Sequence, residues 1–339
     1  MHYQKILIIQ TAFLGDVILI TPFIRATKKL FPDALIDVLV IPQTKGVLTN
    51  NPHIRNILTF DKRKNKLGAF WKTVREMREN RYDLAISPHS STTTAYLMLL
   101  AGIKQRLGFD RWHASKYLTL KVPHLENIHK TEKNLHLLSV FTNRIFTIQT
   151  ELYADTQMMT KAEEMIKKGH FKNRPTIAMA PGSIWDTKRW PEVHYVRLAE
   201  MLHQARFNLL FVGAKEERAL CEQIIQKAGV VSTNLAGETN ILESAAVIGH
   251  CKLMICNDSG AMHIANAMQT DVFAFFGPTV QSIGYFPYRK NDVVFERDMD
   301  CRPCSSHGGE KCPLGHHLCM KEILPEVAFT KIVERFPNR

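Results

Sequence analysis

Short apolar runs that alternate with longer amphipathic stretches are the feature that most constrains the fold. Three runs lie in the first half of the chain: KILII (5–9), LIDVLV (35–40) and DLAIS (83–87). A second series begins near residue 175: TIAMA (176–180), NLLFVG (208–213), KLMICN (252–257) and DVFAFF (271–276). Strands alternating with helices predict parallel βαβ units, and continuously apolar strands predict sheets covered on both faces. We therefore predict an α/β protein with two Rossmann-like, doubly wound domains that face each other across a cleft.

The domain boundary is predicted in a polar segment near residues 150–173. A chain of 339 residues has room for two domains at about 100–200 residues each. We place the N-terminal domain at 1–165 and the C-terminal domain at 166–339. The final stretch, EILPEVAFTKIVERF (322–336), is amphipathic and predicts a helix that packs back on the body.

The chain carries neither a long apolar segment nor a signal-peptide pattern. Its longest uninterrupted apolar run, Tyr96 to Ile103, is far shorter than the roughly 18 residues that span a membrane. The first residues, MHYQKILIIQ, run directly into a predicted strand and lack an apolar stretch followed by a cleavage site. We therefore expect a cytoplasmic protein.

Positive charge is in excess. Lys and Arg total 44 against 32 Asp and Glu, a formal net charge of +12. Such an excess attracts nucleic acid, an anionic membrane surface or a phosphorylated substrate, although ordinary solubility explains it as well. An aromatic-rich binding strand, a zinc-finger helix and an Arg-rich tail are all missing from the pattern, which argues against nucleic acid.

Functional residues are expected where strands end, because ligands of open α/β sheets bind at the carboxyl ends of the strands. The loop after the first strand contains one glycine, Gly15, followed by Asp16. This loop is not a GxGxxG fingerprint, which disfavours a nicotinamide or flavin cofactor. Asp16 is either a helix N-cap or a carboxylate that accepts a proton from a substrate hydroxyl.

Two loops of the second series carry polar residues suited to a nucleotide. In PGSIWDTKRWP (181–191), Ser183 can donate to a phosphate oxygen, and Lys188 and Arg189 suit a diphosphate. The alternative for Lys188 and Arg189 is a solvated surface pair. In the GAKEE turn (213–217), Glu217 either holds ribose hydroxyls or is an ordinary residue of a helix first turn.

The loop after KLMICN brings four further candidates into one turn. Asp258 and Ser259 can cap the following helix, and Ser259 and Gly260 can offer a hydroxyl and backbone N–H groups to a phosphate. His263 follows about one helical turn later and should point towards the same end. The alternative is that Asp258 is only a cap and His263 a packed helix residue.

A cluster of cysteines lies near the C-terminus: Cys301, Cys304, Cys312 and Cys319. Four thiols can hold a structural Zn²⁺, but the second pair is spaced more widely than is usual. The alternatives are reduced thiols in a packed loop and, more remotely, an iron–sulfur cluster. Three other cysteines fall within strand or helix patterns and are expected to be buried: Cys221, Cys251 and Cys256.

Taken together, the motifs resemble glycosyltransferase family 9, of the lipopolysaccharide heptosyltransferase type. The resemblance rests on FLGDVILITP (13–22), PGSIWDTKRWP (181–191), the GAKEE turn (213–217), NLAGET (234–239), NDSGAMHIANAM (257–268) and FGPT (276–279). These motifs occur in the family's order and span nearly the whole chain. PGSIWDTKRWP and NLAGET are most similar to the heptosyltransferase II subgroup.

The resemblance implies a GT-B fold with the acceptor on the N-terminal domain and the nucleotide sugar on the C-terminal one. It implies inverting transfer of a heptose from ADP-heptose to the lipopolysaccharide inner core, without a catalytic metal. The alternative is another nucleotide-sugar enzyme of this fold, an epimerase or a transferase with a different donor. An anionic acceptor implies that the enzyme touches the inner face of the inner membrane.

The resemblance also assigns roles to individual residues. Asp16 matches the catalytic base, Lys188 a cation near the donor phosphates, and Asp258 an acid that contacts the transferred sugar. Ser183 matches a donor-loop hydroxyl, and Glu217 (or Glu216) matches an acid near the ribose. Ser259, Gly260 and His263 match a phosphate-binding helix start. Further basic residues of the acceptor half either contact the acceptor or form ordinary solvated faces: Arg25, Lys28, Lys29 and the run 62–66.

Overall fold

A computed structural model describes residues 2–61, 66–111, 113–167 and 174–337. The chain divides into two units, Met1–Tyr153 and Ala154–Arg339. The boundary expected at 165/166 falls inside the helix Thr156–Lys167, which packs on Ile241–Gly249 of the second unit. Lys161 of this helix pairs with Glu243, their charged atoms 2.6 Å apart, so the helix is counted with the second unit.

The first unit is a parallel sheet of six strands with helices between them. Its strands are β1 (Lys5–Gln10), β2 (Leu35–Val40), β3 (Asn56–Thr59), β4 (Leu84–Ser87), β5 (Gln105–Asp110) and β6 (Leu120–Pro123). Its helices are α1 (Leu14–Ile18), α2 (Thr21–Leu30), α3 (Lys66–Asn80), α4 (Thr92–Leu100) and α5 (Lys130–His136). The order in the sheet is β3-β2-β1-β4-β5-β6.

The second unit repeats this architecture. Its strands are β7 (Thr176–Ala180), β8 (Asn208–Phe211), β9 (Ser232–Asn234), β10 (Leu253–Asn257), β11 (Asp271–Phe276) and β12 (Val293–Glu296). Its helices are α6 (Thr156–Lys167), α7 (Glu192–Gln204), α8 (Arg218–Ala228), α9 (Ile241–Gly249), α10 (Gly260–Ala267), α11 (Leu318–Lys321) and α12 (Pro325–Arg335). The sheet order is β12-β11-β10-β7-β8-β9.

Both sheets have the Rossmann strand order, because each first strand lies between its own second and fourth strands. Connections leave in opposite directions from the two central strands, which opens a crevice at their carboxyl ends. This switch point lies between β1 and β4 in the first unit and between β7 and β10 in the second. The prediction of two doubly wound α/β units is confirmed.

Apolar burial explains why these strands form. Residues Ile6 to Ile9 of β1 are fully buried, as expected for a strand covered on both faces. In the second unit, the Trp190 ring stacks on Phe275 with centroids 3.9 Å apart, and the indole N–H donates to the Ile323 carbonyl at 2.8 Å. That bond anchors the chain just before α12, which packs on α7 as a C-terminal helix should.

The helix predicted after β1 is interrupted. It forms as α1 and α2, separated by Leu19 and Ile20, because Pro22 occupies the first turn of α2. Proline has no N–H to continue a preceding helix and fits a helix start. Within the described ranges, every helix is too short or too polar to cross a lipid bilayer.

Candidate functional site of each unit

Polar clusters lie at the carboxyl ends of both sheets. The second-unit site comprises the loop 181–191, Glu217, the turn 257–263 and Thr279. The first-unit site comprises Gln10, Asp16, Arg111, His124, Lys130 and Lys133. Each is described within its own unit.

A buried ion pair is the centre of the second-unit site. Lys188 ends the 3₁₀ turn Asp186–Lys188 of the loop after β7, and Asp258 directly follows β10. The Lys188 ammonium lies 2.6 Å from Asp258 Oδ2, and the two side chains are only 13% and 7% exposed. Thr279 donates its hydroxyl to the same oxygen at 2.7 Å. Lys188 is thus a largely buried, paired cation at the switch point, unlike the solvated cation of the alternative interpretation.

Arg189 has a different environment from Lys188. Its side chain is 42% exposed and pairs with Asp186 at 2.9 Å. Its Nε donates to the carbonyl of Ser183 at 2.9 Å. Arg189 therefore holds the shape of the loop, and Lys188 is the loop's buried cation.

Asn257, which sequence analysis missed, ties the loop to the strand end. Its side chain is fully buried. The amide donates to the carbonyls of Pro181 at 2.8 Å and Gly182 at 3.1 Å, and its oxygen accepts from the Trp190 backbone N–H at 2.9 Å. Both ends of the loop are therefore fastened to the residue before Asp258. The available signal was an amide at the end of an otherwise apolar strand, because such a buried group must find partners.

The helix start after β10 is the turn for which a phosphate-binding role was predicted. Ser259 is the N-cap of α10, and its hydroxyl makes no capping bond to the helix. Asp258 lies outside the cap position, so its carboxylate serves Lys188 and Thr279 instead. Ser183 and His263 are both buried, and the His263 ring lies 6.4 Å from that of Tyr285. The first amides of an eight-residue helix favour an anion at this place.

Glu217 reaches the loop after β7, whereas Glu216 is exposed. The Glu217 carboxylate accepts from the Ala214 backbone N–H at 2.7 Å. A Cβ atom on Gly182 would lie 1.9 Å from Glu217 Oε1, so any side chain at this position would displace the carboxylate. The structure thus favours Glu217 over Glu216 as the acid beside Ser183.

The predicted zinc site is not supported. Within the described ranges, no group of three or more His, Cys, Asp or Glu side chains is placed to hold a metal ion. All four clustered cysteines have free thiols: Cys301, Cys304, Cys312 and Cys319. Burial raises the pKa of the Cys319 thiol to about 11. The other three cysteines are buried as predicted: Cys221, Cys251 and Cys256.

Asp16 lies in the first turn of α1, and Phe13, not Asp16, is the N-cap of that helix. Its side chain is half-buried. Lys130, the first residue of α5, interacts electrostatically with Asp16. Burial lowers the pKa of Lys130, the Asp16 carboxylate opposes this shift, and Arg111 adds to it. The structure therefore places Asp16 beside a desolvated lysine.

A group of basic side chains lies near Lys130: Arg111, His124 and Lys133. Arg111 follows β5 and His124 follows β6, with Arg111 Nη1 3.2 Å from His124 Nε2. Burial first, and then the charges of Lys133, Arg111 and Lys130, together lower the pKa of His124 to about 4. Lys133 is 8% exposed, and its pKa is lowered by burial and then by Lys130 and Arg111. Basic groups are thus crowded together in a partly desolvated place.

The amide of Gln10 is a further buried polar group of the first-unit site. Gln10 is the last residue of β1 and is fully buried. Among the residues that the structure describes, none forms a hydrogen bond with either amide atom of Gln10. Sequence analysis did not single out this residue, although the signal is the same as for Asn257, an amide at the end of an apolar strand.

The other basic residues expected in the acceptor half make local contacts or face solvent. Arg25 pairs with Glu151, and Lys28 donates to the Ala34 carbonyl at 2.9 Å. Lys29 is exposed. Residues 62–65 of the basic run lie outside the described residues.

Two Rossmann-like units with polar clusters at their switch points place the chain in the GT-B class of folds. The sequence profile of glycosyltransferase family 9 (heptosyltransferase) matches residues 70–314. The chain belongs to this family and is a glycosyltransferase.

Curated relatives agree with this assignment. Lipooligosaccharide heptosyltransferase 2 of Haemophilus ducreyi is 28% identical, covering 95% of this chain and 97% of the relative. Lipopolysaccharide heptosyltransferase 2 of Escherichia coli K12 is 24% identical, covering 81% of this chain and 83% of the relative.

Solved structures share the fold. The Escherichia coli ADP-heptose lipopolysaccharide heptosyltransferase II superposes with a TM-score of 0.79 at 22% identity, covering 98% of both chains. The E. coli heptosyltransferase WaaC with ADP-2-deoxy-2-fluoro heptose gives a TM-score of 0.72 at 18% identity, covering 98% of this chain and all of the other.

Proposed function

We propose that this glycosyltransferase moves a heptose from ADP-heptose to the inner core of lipopolysaccharide, with inversion at the anomeric carbon. The proposal is supported by the family and by relatives that carry the name of heptosyltransferase 2. The observation that carries it is the buried Lys188–Asp258 pair at the switch point of the second unit. This pair lies beside a helix start suited to phosphate.

In this proposal the second-unit site binds the donor. The Lys188 ammonium binds the phosphate that bears the sugar, and the α10 amides with the Ser259 hydroxyl take the remaining charge of the diphosphate. Asp258 positions Lys188 and accepts a hydrogen bond from a hydroxyl of the heptose. Glu217 holds the ribose. Lys188 and the amides stabilise the leaving diphosphate, a role that a divalent metal has in other transferases, so we expect activity to persist in EDTA.

Asp16 acts on the acceptor. Its carboxylate takes the proton of the acceptor hydroxyl, whose oxygen then bonds to the anomeric carbon on the face opposite the diphosphate. The bond between that carbon and the phosphate oxygen breaks, and ADP leaves with the bonding electron pair. Inversion follows from this direction of attack.

The cations around Asp16 fit an acceptor with phosphates or acidic sugars. Arg111, Lys130 and Lys133 bring positive charge to a partly desolvated place, which is unfavourable until an anion binds there. An anionic lipid-linked acceptor also agrees with the net charge of +12. We therefore propose a cytoplasmic enzyme with peripheral contact at the inner face of the inner membrane.

A nucleotide and acceptor panel tests the proposal. ADP, but not UDP, GDP or CMP, should raise the melting temperature, since a ligand at one hundred times its Kd adds about 2.7 kcal/mol of stability. ADP-heptose should be consumed only when heptose-deficient lipopolysaccharide is present. Consumption without an acceptor would indicate an epimerase instead, and stabilisation by another nucleotide would indicate a different donor.

A further inference from the structure

The cysteine-rich segment, residues 301–320, is bonded to the loop that carries Lys188. The Thr187 N–H and hydroxyl both donate to the Gly309 carbonyl, at 3.1 and 2.9 Å, and the Gly309 N–H donates to the Thr187 hydroxyl at 2.8 Å. The Thr187 carbonyl accepts from His317 Nε2 at 2.7 Å. Every polar group of the residue before Lys188 is therefore bonded to this segment.

The segment also packs against the Lys188 side chain itself. Gly308 has a φ of +94°, a conformation that favours glycine. A Cβ atom at this position would lie 2.9 Å from Trp185 Cβ and 3.1 Å from Lys188 Cγ. The backbone at Gly308 thus lies against the aliphatic stem of Lys188 and limits where its ammonium can point.

The same segment reaches the other side of the ion pair through Arg302. This side chain is 5% exposed and donates to the Thr279 carbonyl at 2.8 Å. It also bonds the Gly277 carbonyl and pairs with Glu296 at 2.8 Å. Thr279 in turn donates its hydroxyl to Asp258. One guanidinium therefore fixes the turn whose hydroxyl contacts Asp258.

We propose that His317 and Arg302 are positioning residues, which hold Lys188 and Asp258 in the geometry that binds the donor diphosphate. The inference rests on the proposed function and adds a role for the cysteine-rich segment that needs no metal. The physical reason is that Lys188 lies in a single 3₁₀ turn and Thr279 in a loop, so neither residue is restrained by a long helix or a strand ladder. Hydrogen bonds from His317 and Arg302 replace that restraint, so that less ordering remains to be done when the ligand binds.

Calorimetric binding of ADP and AMP separates positioning from a general structural effect. His317→Ala should weaken ADP binding about fivefold to tenfold, the value of one hydrogen bond, and leave AMP binding unchanged, because AMP lacks the phosphate assigned to Lys188. His317→Gln keeps an N–H donor and should restore most of the affinity. His307→Ala is the matched control, because His307 is an exposed histidine of the same segment whose side chain bonds neighbouring Ser306.

Coupling to Lys188 is the decisive readout. In a Lys188→Ala background, His317→Ala should cause no further loss of ADP affinity, because the group it positions is gone. Additive losses, or an equal loss of AMP binding, would overturn the proposal in favour of a merely structural role. Arg302→Lys keeps the charge but loses the planar fork, and it should weaken ADP binding in the same selective way. If Arg302→Lys does not fold, the His317 variants decide alone.

Hydrogen exchange without ligand distinguishes failure of this inference from failure of the proposed function. His317→Ala should speed amide exchange in residues 183–191, whereas His307→Ala should not. Unchanged exchange in His317→Ala would contradict the inference even if ADP binds. Faster exchange in a protein that binds no ADP would keep the positioning role and reject the proposed donor.

Discussion

The two units share a strand order but organise their functional groups in opposite ways. In the second unit, Lys188 and Asp258 form a closed ion pair, and Thr279 and Asn257 bond the surrounding loops. In the first unit, burial and then neighbouring cations lower the pKa of Lys130 and of Lys133. In the second-unit site the cation is paired with a carboxylate, whereas in the first-unit site three cations, Arg111, Lys130 and Lys133, outnumber the single carboxylate of Asp16.

The two units thus show two ways in which a site can be prepared for its ligand: by fixed geometry in the second unit and by excess charge in the first. A closed network holds its cation in place before a ligand arrives, so little ordering remains to be done on binding. Crowded cations store an electrostatic cost that an anion relieves. We infer that the second unit is prepared for one defined donor, and that the first attracts an acceptor by its charge.

Replacement of Asp16 should produce the largest effect. Asp16→Asn keeps the shape of the side chain but removes the base, so the transfer rate should fall by about 10²–10⁴-fold. ADP affinity should stay at the wild-type value, because this residue belongs to the first unit. The measurement is kcat alongside calorimetric ADP binding. A variant that keeps more than half of the transfer rate would remove Asp16 from the mechanism.

Replacement of Lys188 should damage the second-unit site. Lys188→Ala leaves the buried Asp258 without its cation, which should cost about 3–5 kcal/mol of stability and weaken ADP binding. The matched control is Lys227→Ala, because the Lys227–Glu192 pair is 60% and 30% exposed and such pairs contribute about 0–1 kcal/mol. Denaturant unfolding and ADP calorimetry measure both effects. Equal results for the two variants would show that the buried pair has no special role.

Replacement of Lys133 should have a smaller effect that is limited to the acceptor. Lys133→Met removes a desolvated ammonium but keeps the volume, so the protein without ligand should lose no stability. The KM for an anionic acceptor should rise about tenfold, with a weaker dependence on salt. Lys121→Met, at an exposed position of β6, should leave this KM unchanged. A drop in stability with an unchanged KM would show that Lys133 is only structural.

The smallest expected effect is a pH dependence from His124. Its pKa is about 4 in the folded protein, below the usual 6.5, so the unfolded chain binds the proton more readily. The contribution of this group to stability is therefore complete above pH 6.5, falls between pH 6.5 and 4, and is lost below. The stability of His124→Gln should decline less than that of the wild type across this window. If the stability of the two proteins changes with pH in the same way, the lowered pKa of His124 is contradicted.

Apolar patterning predicted the central strands well, because burial on both faces leaves a continuous apolar run. The bounds of β2, β7 and β11 agree with the predicted runs. Edge strands lack such an apolar run. The edge strand β9 consists of three polar residues, Ser232–Asn234, which form a strand because they pair with β8. Tertiary context decides such segments.

In the candidate site too, residues that follow strongly apolar strands could be predicted and the others could not. Asp16, Lys188 and Asp258 could be predicted because each follows a strand that the pattern revealed. Arg111 and His124 could not, because they follow β5 (QRLGFD) and β6 (LKVP), in which polar residues, glycine or proline interrupt the apolar run. The contact of His317 with Thr187 joins residues that are distant in the sequence, and only the folded backbone brings them together.

Hydrogen exchange with saturating ADP tests most directly the claim that the second unit binds the donor and the first unit binds the acceptor. We predict slower exchange in residues 181–191 and 257–263 of the second unit, and no change in residues 13–18 and 129–134 of the first. An anionic acceptor fragment should produce the reverse pattern. Protection by ADP around Asp16, with none around Lys188 and Asp258, would contradict the account.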